Sequence, residues 1–209
     1  MQPSDTAYPR FKSRPSETEL ERFYSPSENE RAFCDSYTRS QTTRLGFVLL
    51  LKTYQRLGYF VTSEQVPDAI VEHIAAAVNE PDDREALRQY DLSQARRKHL
   101  SAVREFLGVK PFDEGGKALM RNAFREAALT KEDVIDLINI GIETLVRDRY
   151  ELPAFDTLER EARVQRVATN QELFAQVNRA LGTDAFAQPA RRDGEFRRAD
   201  RRHRHPLRL

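Results

Sequence analysis

Two serine-headed helix starts open the apolar pattern of this chain. Ser16-Glu17-Thr18-Glu19 and Ser27-Glu28-Asn29-Glu30 each set a serine three residues before a glutamate. In that arrangement the serine oxygen and the carboxylate satisfy free N–H groups of a helix's first turn. Residues 44–59 follow with apolar side chains at Leu45, Val48, Leu49, Leu51, Tyr54 and Leu57, coverage wide enough for the central buried helix of a bundle. Gly58 is its expected stop. Phe60-Val61-Thr62 reads as a short extended connector, after which Ser63 is expected to cap a helix with Pro67 in its first turn and Ile70, Ile74, Ala77 and Val78 on one face.

Residues 80–90 read as a short acidic helix, and Asp91-Leu92-Ser93-Gln94 as the opening of a longer one. The expected stripe of that longer helix is Leu92, Ala95, Val103, Phe106 and Leu107 with Leu100 alongside, ended by Gly108 and Pro111. Residues 117–128 form a further candidate helix. Thr130-Lys131-Glu132-Asp133 caps the next, whose face is Val134, Leu137, Ile138, Ile142 and Leu145, and the last runs over residues 155–181 to Gly182. No segment alternates with period two over a useful length and no repeat of 20–50 residues occurs, so the expected class is all-α, a helical bundle. Its expected organisation is a disordered N-terminus (1–15), two small helix-turn-helix-like units (16–90 and 91–150), a long helix (151–182) and a disordered Arg-rich tail (183–209).

Composition narrows the setting. A chain of 209 residues buries roughly 70% of its unfolded surface on folding, enough for a proper core. Its 34 basic and 33 acidic side chains nearly cancel, so any anionic partner has to be argued from local patches. Segment by segment the balance is uneven: residues 1–90 carry 11 basic and 14 acidic groups, 91–182 carry 15 of each, and 183–209 carry 8 and 4. The six lysines all precede position 132, whereas every tail cation is arginine, and such a segment buries too little apolar surface to offset its ordering entropy. Cys34 is the only cysteine, which excludes an intrachain disulfide framework and multi-cysteine metal sites. The start has no apolar leader, and the longest apolar run, residues 47–51, is far too short for a membrane span. A cytoplasmic protein without membrane contact is expected.

Candidate chemistry favours binding over catalysis. His73 and His99 stand 26 residues apart on separate helices, and no HExxH, GxSxG, GxGxxG or GxxxxGK[ST] string occurs, so no catalytic residue, cofactor or metal ligand is assigned. The acidic residues read as caps and solvated helix faces, Cys34 as a small buried apolar residue, and His203 and His205 as tail residues without a ligand set. Two basic clusters stand out. Arg39 and Arg44, with the hydroxyls of Ser40, Thr42 and Thr43, sit at the entry of the central helix, where free N–H groups favour a phosphate. Arg96, Arg97, Lys98 and His99 occupy the first half of the helix after Asp91; with Leu92, Ala95 and Val103 inward, Arg96, Arg97 and Arg104 are expected to project outward, as in a groove-entering helix. From these residues alone a solvated cationic face is an equal reading.

The strings themselves carry a resemblance. Arg44-Leu45-Gly46-Phe47 ahead of an aliphatic helix, Gly58-Tyr59-Phe60 and Val66-Pro67 are followed by Tyr90, Arg96-Arg97 with His99, Arg104, and Phe106-Leu107-Gly108 before Pro111-Phe112. Leu152-Pro153, Thr157-Leu158-Glu159-Arg160 and Ala162-Arg163 complete the series. In order and spacing this resembles the N-terminal region of the Tn-three family of replicative (class II) bacterial transposases, over about residues 17–182. The resemblance implies a region that binds double-stranded DNA at the terminal inverted repeats and positions them for a catalytic domain further along, so that this chain alone would be no enzyme. It also implies a fragment that could compete for transposon ends, with self-association or association with full-length transposase as a further partnership. Lys98 departs from the family, which usually has an acidic residue there. The other departure is the tail, which reads as an out-of-frame product of a truncated gene, with a native basic tail gripping phosphates as the competitor. A reading from another class is a protein-protein interaction module that uses the helix over 153–181, although its apolar spacing fails a strict heptad.

Overall fold

Ser16 and Ser27 do cap helices, in a computed structural model that describes residues 1–38 and 41–181. Each serine oxygen accepts from the backbone N–H three residues on, and Glu19 and Glu30 reach back to the serine N–H groups. They open α1 (Glu17–Tyr24) and α2 (Glu28–Tyr37). The central helix, α3 (Gln41–Leu57), is followed by α4 (Asp68–Val78), α5 (Arg84–Leu92), α6 (Gln94–Leu107), α7 (Glu114–Ala128), α8 (Val134–Arg147) and α9 (Phe155–Leu181). Among the described residues there is no strand, only an isolated parallel bridge between Lys110 and Tyr150. The fold is all-α. None of these helices is long and apolar enough to cross a membrane.

By packing, the chain divides into residues 1–171 and residues 172–209. Within the first unit, two apolar cores form. Around α3, whose Leu45, Phe47, Leu51 and Leu57 are fully buried, gather Cys34 of α2, Ile70, Val71 and Ile74 of α4, Leu87 of α5, and Ala102 and Val103 of α6. The other core joins Met120 and Phe124 of α7 to Leu137, Ile138, Ile142 and Leu145 of α8 and to Phe155, Leu158 and Ala162 of α9. Burial at Cys34 pushes the thiol up to about 12, so the thiolate that nucleophilic chemistry needs does not form near neutral pH. In the second unit, residues 172–180 are exposed, Phe174 and Val177 included. The tail expected to be disordered, 183–209, lies outside the described residues.

Several elements depart from the sequence expectation. Ser63 does not cap α4: its N–H and hydroxyl both donate to Asp91, at 2.7 Å each, within a short 3-10 turn (Ser63–Gln65), while Pro67 takes the cap position and α4 starts after it. Leu92 does not join the α6 stripe. It ends α5, 87% exposed, because Ser93 breaks the helix and caps α6 by accepting from Arg96 N, and the buried side chains of α6 are therefore His99, Ala102 and Val103. That face packs α6 into the first core, across the boundary expected at residue 90. Nor is the N-terminal segment loose: Tyr8 is buried in the second core, its hydroxyl donates to Pro153 O (2.9 Å), Ala7 N donates to Asn139 Oδ1 (2.7 Å), and Tyr59 stacks on Tyr8 while donating to Pro9 O. A tyrosine held at both its ring and its hydroxyl provides the contact that local composition did not advertise.

Close approach decides the α7–α8 pair. A Cβ at Gly141 would lie 2.3 Å from the Phe124 ring, so Gly141→Ala is expected to destabilise the protein by about 1–3 kcal/mol through overpacking, against the roughly 1 kcal/mol gain that helix propensity alone assigns to alanine. Leu51→Ala is expected to cost about 2–5 kcal/mol through lost transfer energy and a cavity. Urea unfolding of each variant measures both, and a neutral Gly141→Ala would show that Phe124 has room to move.

Candidate nucleic-acid interface

The proposed contact helix, α6, is held from its inner side by a buried imidazole. His99 stacks on Phe47 with centroids 3.9 Å apart, lies 2.8 Å through Nδ1 from the Tyr90 hydroxyl, and shares a backbone hydrogen bond with Tyr37. With Nδ1 accepting from Tyr90, Nε2 carries the proton of the neutral ring. Burial lowers its pKa from the ordinary histidine value, outweighing the Tyr37 bond. Tyr90 can come this close to α3 because position 46 is glycine: a Cβ there would meet the Tyr90 ring at 2.5 Å. The column continues outward from Phe47 to Phe33 (5.3 Å) and Phe106 (4.1 Å from Phe33). Tyr37 closes α2 with its ring 6.4 Å from His99, so the end of α2, the first turns of α3 and the first half of α6 meet at one place.

Most cations of the two basic clusters are already committed. Arg44 grips Asp35 with two nitrogens (2.7 and 3.2 Å) and lies 3.7 Å from Glu80, a carboxylate whose second oxygen is buried without a hydrogen-bond partner. Thr43 is half-buried and engaged in a contact. Arg96 donates to Val61 O (2.9 Å), and its Nε sits 3.1 Å from Asp91 in ionic contact without hydrogen-bond geometry; through Asp91, which holds Ser63, it ties the 61–63 connector to the α5–α6 corner. Arg104 puts two nitrogens 2.8 Å from one oxygen of Glu151 and lies over the Phe60 ring. Arg96 and Arg104 therefore do not project freely outward, and His99 is core. The reason is tertiary, since their partners are a connector and a segment 47 residues away. Arg39 and Ser40 lie outside the described residues.

What remains outward on α6 is Arg97 and Lys98, both exposed, and among the described residues neither has an ionic partner. Gln94, Ser101 and Glu105 complete the exposed face. Those three follow from helical spacing once the cap is moved to Ser93, a shift signalled by the serine itself. Among the described residues no group of three His, Cys, Asp or Glu is placed to hold a metal ion.

Comparison with known proteins agrees with the resemblance read from the motifs. A family model described as a domain of unknown function, DUF4158, matches residues 3–164. The chain is 25% identical over 170 residues to the transposase for transposon gamma-delta of Escherichia coli (strain K12), and 27% identical over 175 residues to the transposase for transposon Tn3926 of Escherichia coli. These alignments cover 80% and 83% of this chain but 17% of each relative, so the chain spans about a sixth of the length of the curated relatives it matches.

The buried imidazole makes stability depend on pH. Its folded pKa is depressed, so the unfolded chain binds the proton more readily, and stability present above the unfolded value of about 6.5 is lost as pH falls through it. Urea unfolding at about pH 7.5 and about pH 5.5 is expected to show lower stability at the acid value. His99→Gln should remove that part of the dependence, and an equal acid loss in that variant would place its origin elsewhere.

Proposed function

The chain belongs to the DUF4158 family, and from that membership we propose that it is a transposase-related module that binds double-stranded DNA at transposon ends through the outer face of α6. The observation that carries this reading is the pair Arg97 and Lys98, outward and free of carboxylates among the described residues, on a helix whose opposite face is locked into the first core by His99, Ala102 and Val103. A helix in a groove needs this division: one face fixed, the other cationic near its N-terminus. The named activity of the two relatives supports it, because a transposase has to hold the ends of its element. Recognition is the role assigned; no catalytic step is attributed to any residue. Terminal inverted repeats are the proposed cognate sequence, with self-association or association with a full-length transposase as a further partnership.

A second reading has its own observation. Val164 and Val167 of α9 are 53% and 55% exposed beside Ala168, an apolar strip on the side of the helix away from Leu158 and Ala162, and such a strip suits a partner helix.

Salt dependence tests the first reading. On a mixed-sequence duplex of about 30 base pairs, each phosphate contact adds about −0.9 to the slope of log affinity against log salt. The double variant Arg97→Ala/Lys98→Ala is expected to keep its circular dichroism spectrum, since both side chains are exposed, and to flatten the slope by up to about 2. Should a folded double variant bind with unchanged affinity and slope, α6 is not the contacting element. A duplex carrying the inverted repeats that flank the gene then asks about sequence: loss of a base-reading Arg97 costs about 1–3 kcal/mol there and less on mixed DNA.

A further inference from the structure

An arginine stands where the turn after α8 asks for glycine. Arg149 N donates to Val146 O (3.1 Å) and Tyr150 N to Leu145 O (2.8 Å), the paired bonds of a Schellman turn, whose residue after the cap adopts left-handed backbone. That residue is Arg149, at φ +57. Glycine usually fills the position, because a Cβ there crowds the carbonyl oxygen. The Arg149 side chain does not compensate by packing: it is exposed, and its guanidinium donates one long hydrogen bond, 3.4 Å, to Leu107 O. Left-handed non-glycine residues are uncommon and cluster at functional positions.

What the side chain does have is a location. Its guanidinium sits at the exit of α6, against Leu107 O and beside Gly108, at the opposite end of the helix from Gln94 and Arg97. Lys110 is joined to it: Lys110 N donates to Arg149 O and Glu151 N donates to Lys110 O, 2.8 Å each, and the Lys110 ammonium lies 4.8 Å from the centre of the Tyr150 ring. Both cations are exposed, and among the described residues neither meets a carboxylate at ion-pair distance, whereas neighbouring Arg147 and Arg104 are paired with Asp148 and Glu151. Free positive charge therefore stands at both ends of α6. From Arg97 to Leu107 the helix advances about 15 Å, comparable with a major groove about 12 Å wide and the backbones that flank it.

We propose that Arg149 and Lys110 form a second phosphate-contact patch, gripping the backbone on one side of the DNA groove while Arg97 and Lys98 grip the other. This rests on the reading of α6 as the DNA-contacting helix. Ser101, small, lies midway along the exposed face, and Glu105, the carboxylate of that face, repels phosphate but accepts a hydrogen bond from cytosine N4.

The test separates fold from binding by sign. Arg149→Gly removes the left-handed arginine, so the melting temperature of the full chain is expected to hold or rise. The same variant should flatten the salt slope on the mixed-sequence duplex by about 1 and weaken binding several-fold at low salt, and Lys110→Ala should remove about one more unit. Arg149→Lys, which keeps the charge, should retain the slope. Unchanged affinity and slope in Arg149→Gly, while Arg97→Ala/Lys98→Ala lowers both, would overturn the second patch and leave the α6 reading standing. If neither variant changes binding, both fall. A drop in melting temperature for Arg149→Gly would show that the arginine serves the turn itself, and that too would overturn the inference.

Discussion

The outer face of α6 depends on a neutral imidazole on its inner face. His99 sits where a bundle would ordinarily place leucine, flat against Phe47, with Tyr90 and the Tyr37 backbone satisfying its nitrogens. An apolar residue would fill the volume, but it would fix neither the rotation of α6 nor the end of α2, because dispersion contacts are not directional and hydrogen bonds are. The arrangement is available only because Gly46 lets the Tyr90 ring lie on α3. Three helices and the close of a fourth are thus keyed to one ring, and rotating α6 would leave its nitrogens buried without partners.

Around this key the polar chemistry of the first core is mostly brace. Glu30 caps α2 and also receives Lys52 and Gln55 from α3. Burial alone would raise its pKa, yet the hydrogen bonds from Ser27, Gln55 and Lys52 bring it below the ordinary carboxylate value. Arg44, Arg96 and Arg104 each reach a partner distant in sequence, Glu80, the Val61 carbonyl and Glu151, and each also lies against a carboxylate. Such arginines contribute little outward potential, because their charge is matched at contact distance. A helix rich in arginine can therefore present few cations to a partner, and in α6 the exposed positive charge comes from Arg97 and Lys98.

The same logic explains why the resemblance to transposases was readable at all. Gly46, Phe47, Tyr90 and His99, which belong to the matching strings, are the residues that hold α3, α5 and α6 together. Their order and spacing follow from a geometric requirement, so they mark this fold wherever the requirement recurs. The exposed face of α6, which carries Arg97 and Lys98, is free of that requirement.

Local order determined much of this protein. Capping serines, the apolar run of α3, the stripe of α8 and the long α9 were legible, because caps and periodicity act within a few residues of the chain. The α6 stripe was misphased since Leu92 is apolar and His99 is polar by type, whereas in the fold the leucine faces solvent and the imidazole is packed. Tertiary structure alone decided which arginines are free. Arg104 meets Glu151 across 47 residues and Arg96 meets Val61 across 35, and Arg149 reaches the end of α6 through a turn after α8. A charge is neutralised by whatever lies beside it in space, and periodicity along one helix carries no information about that neighbour.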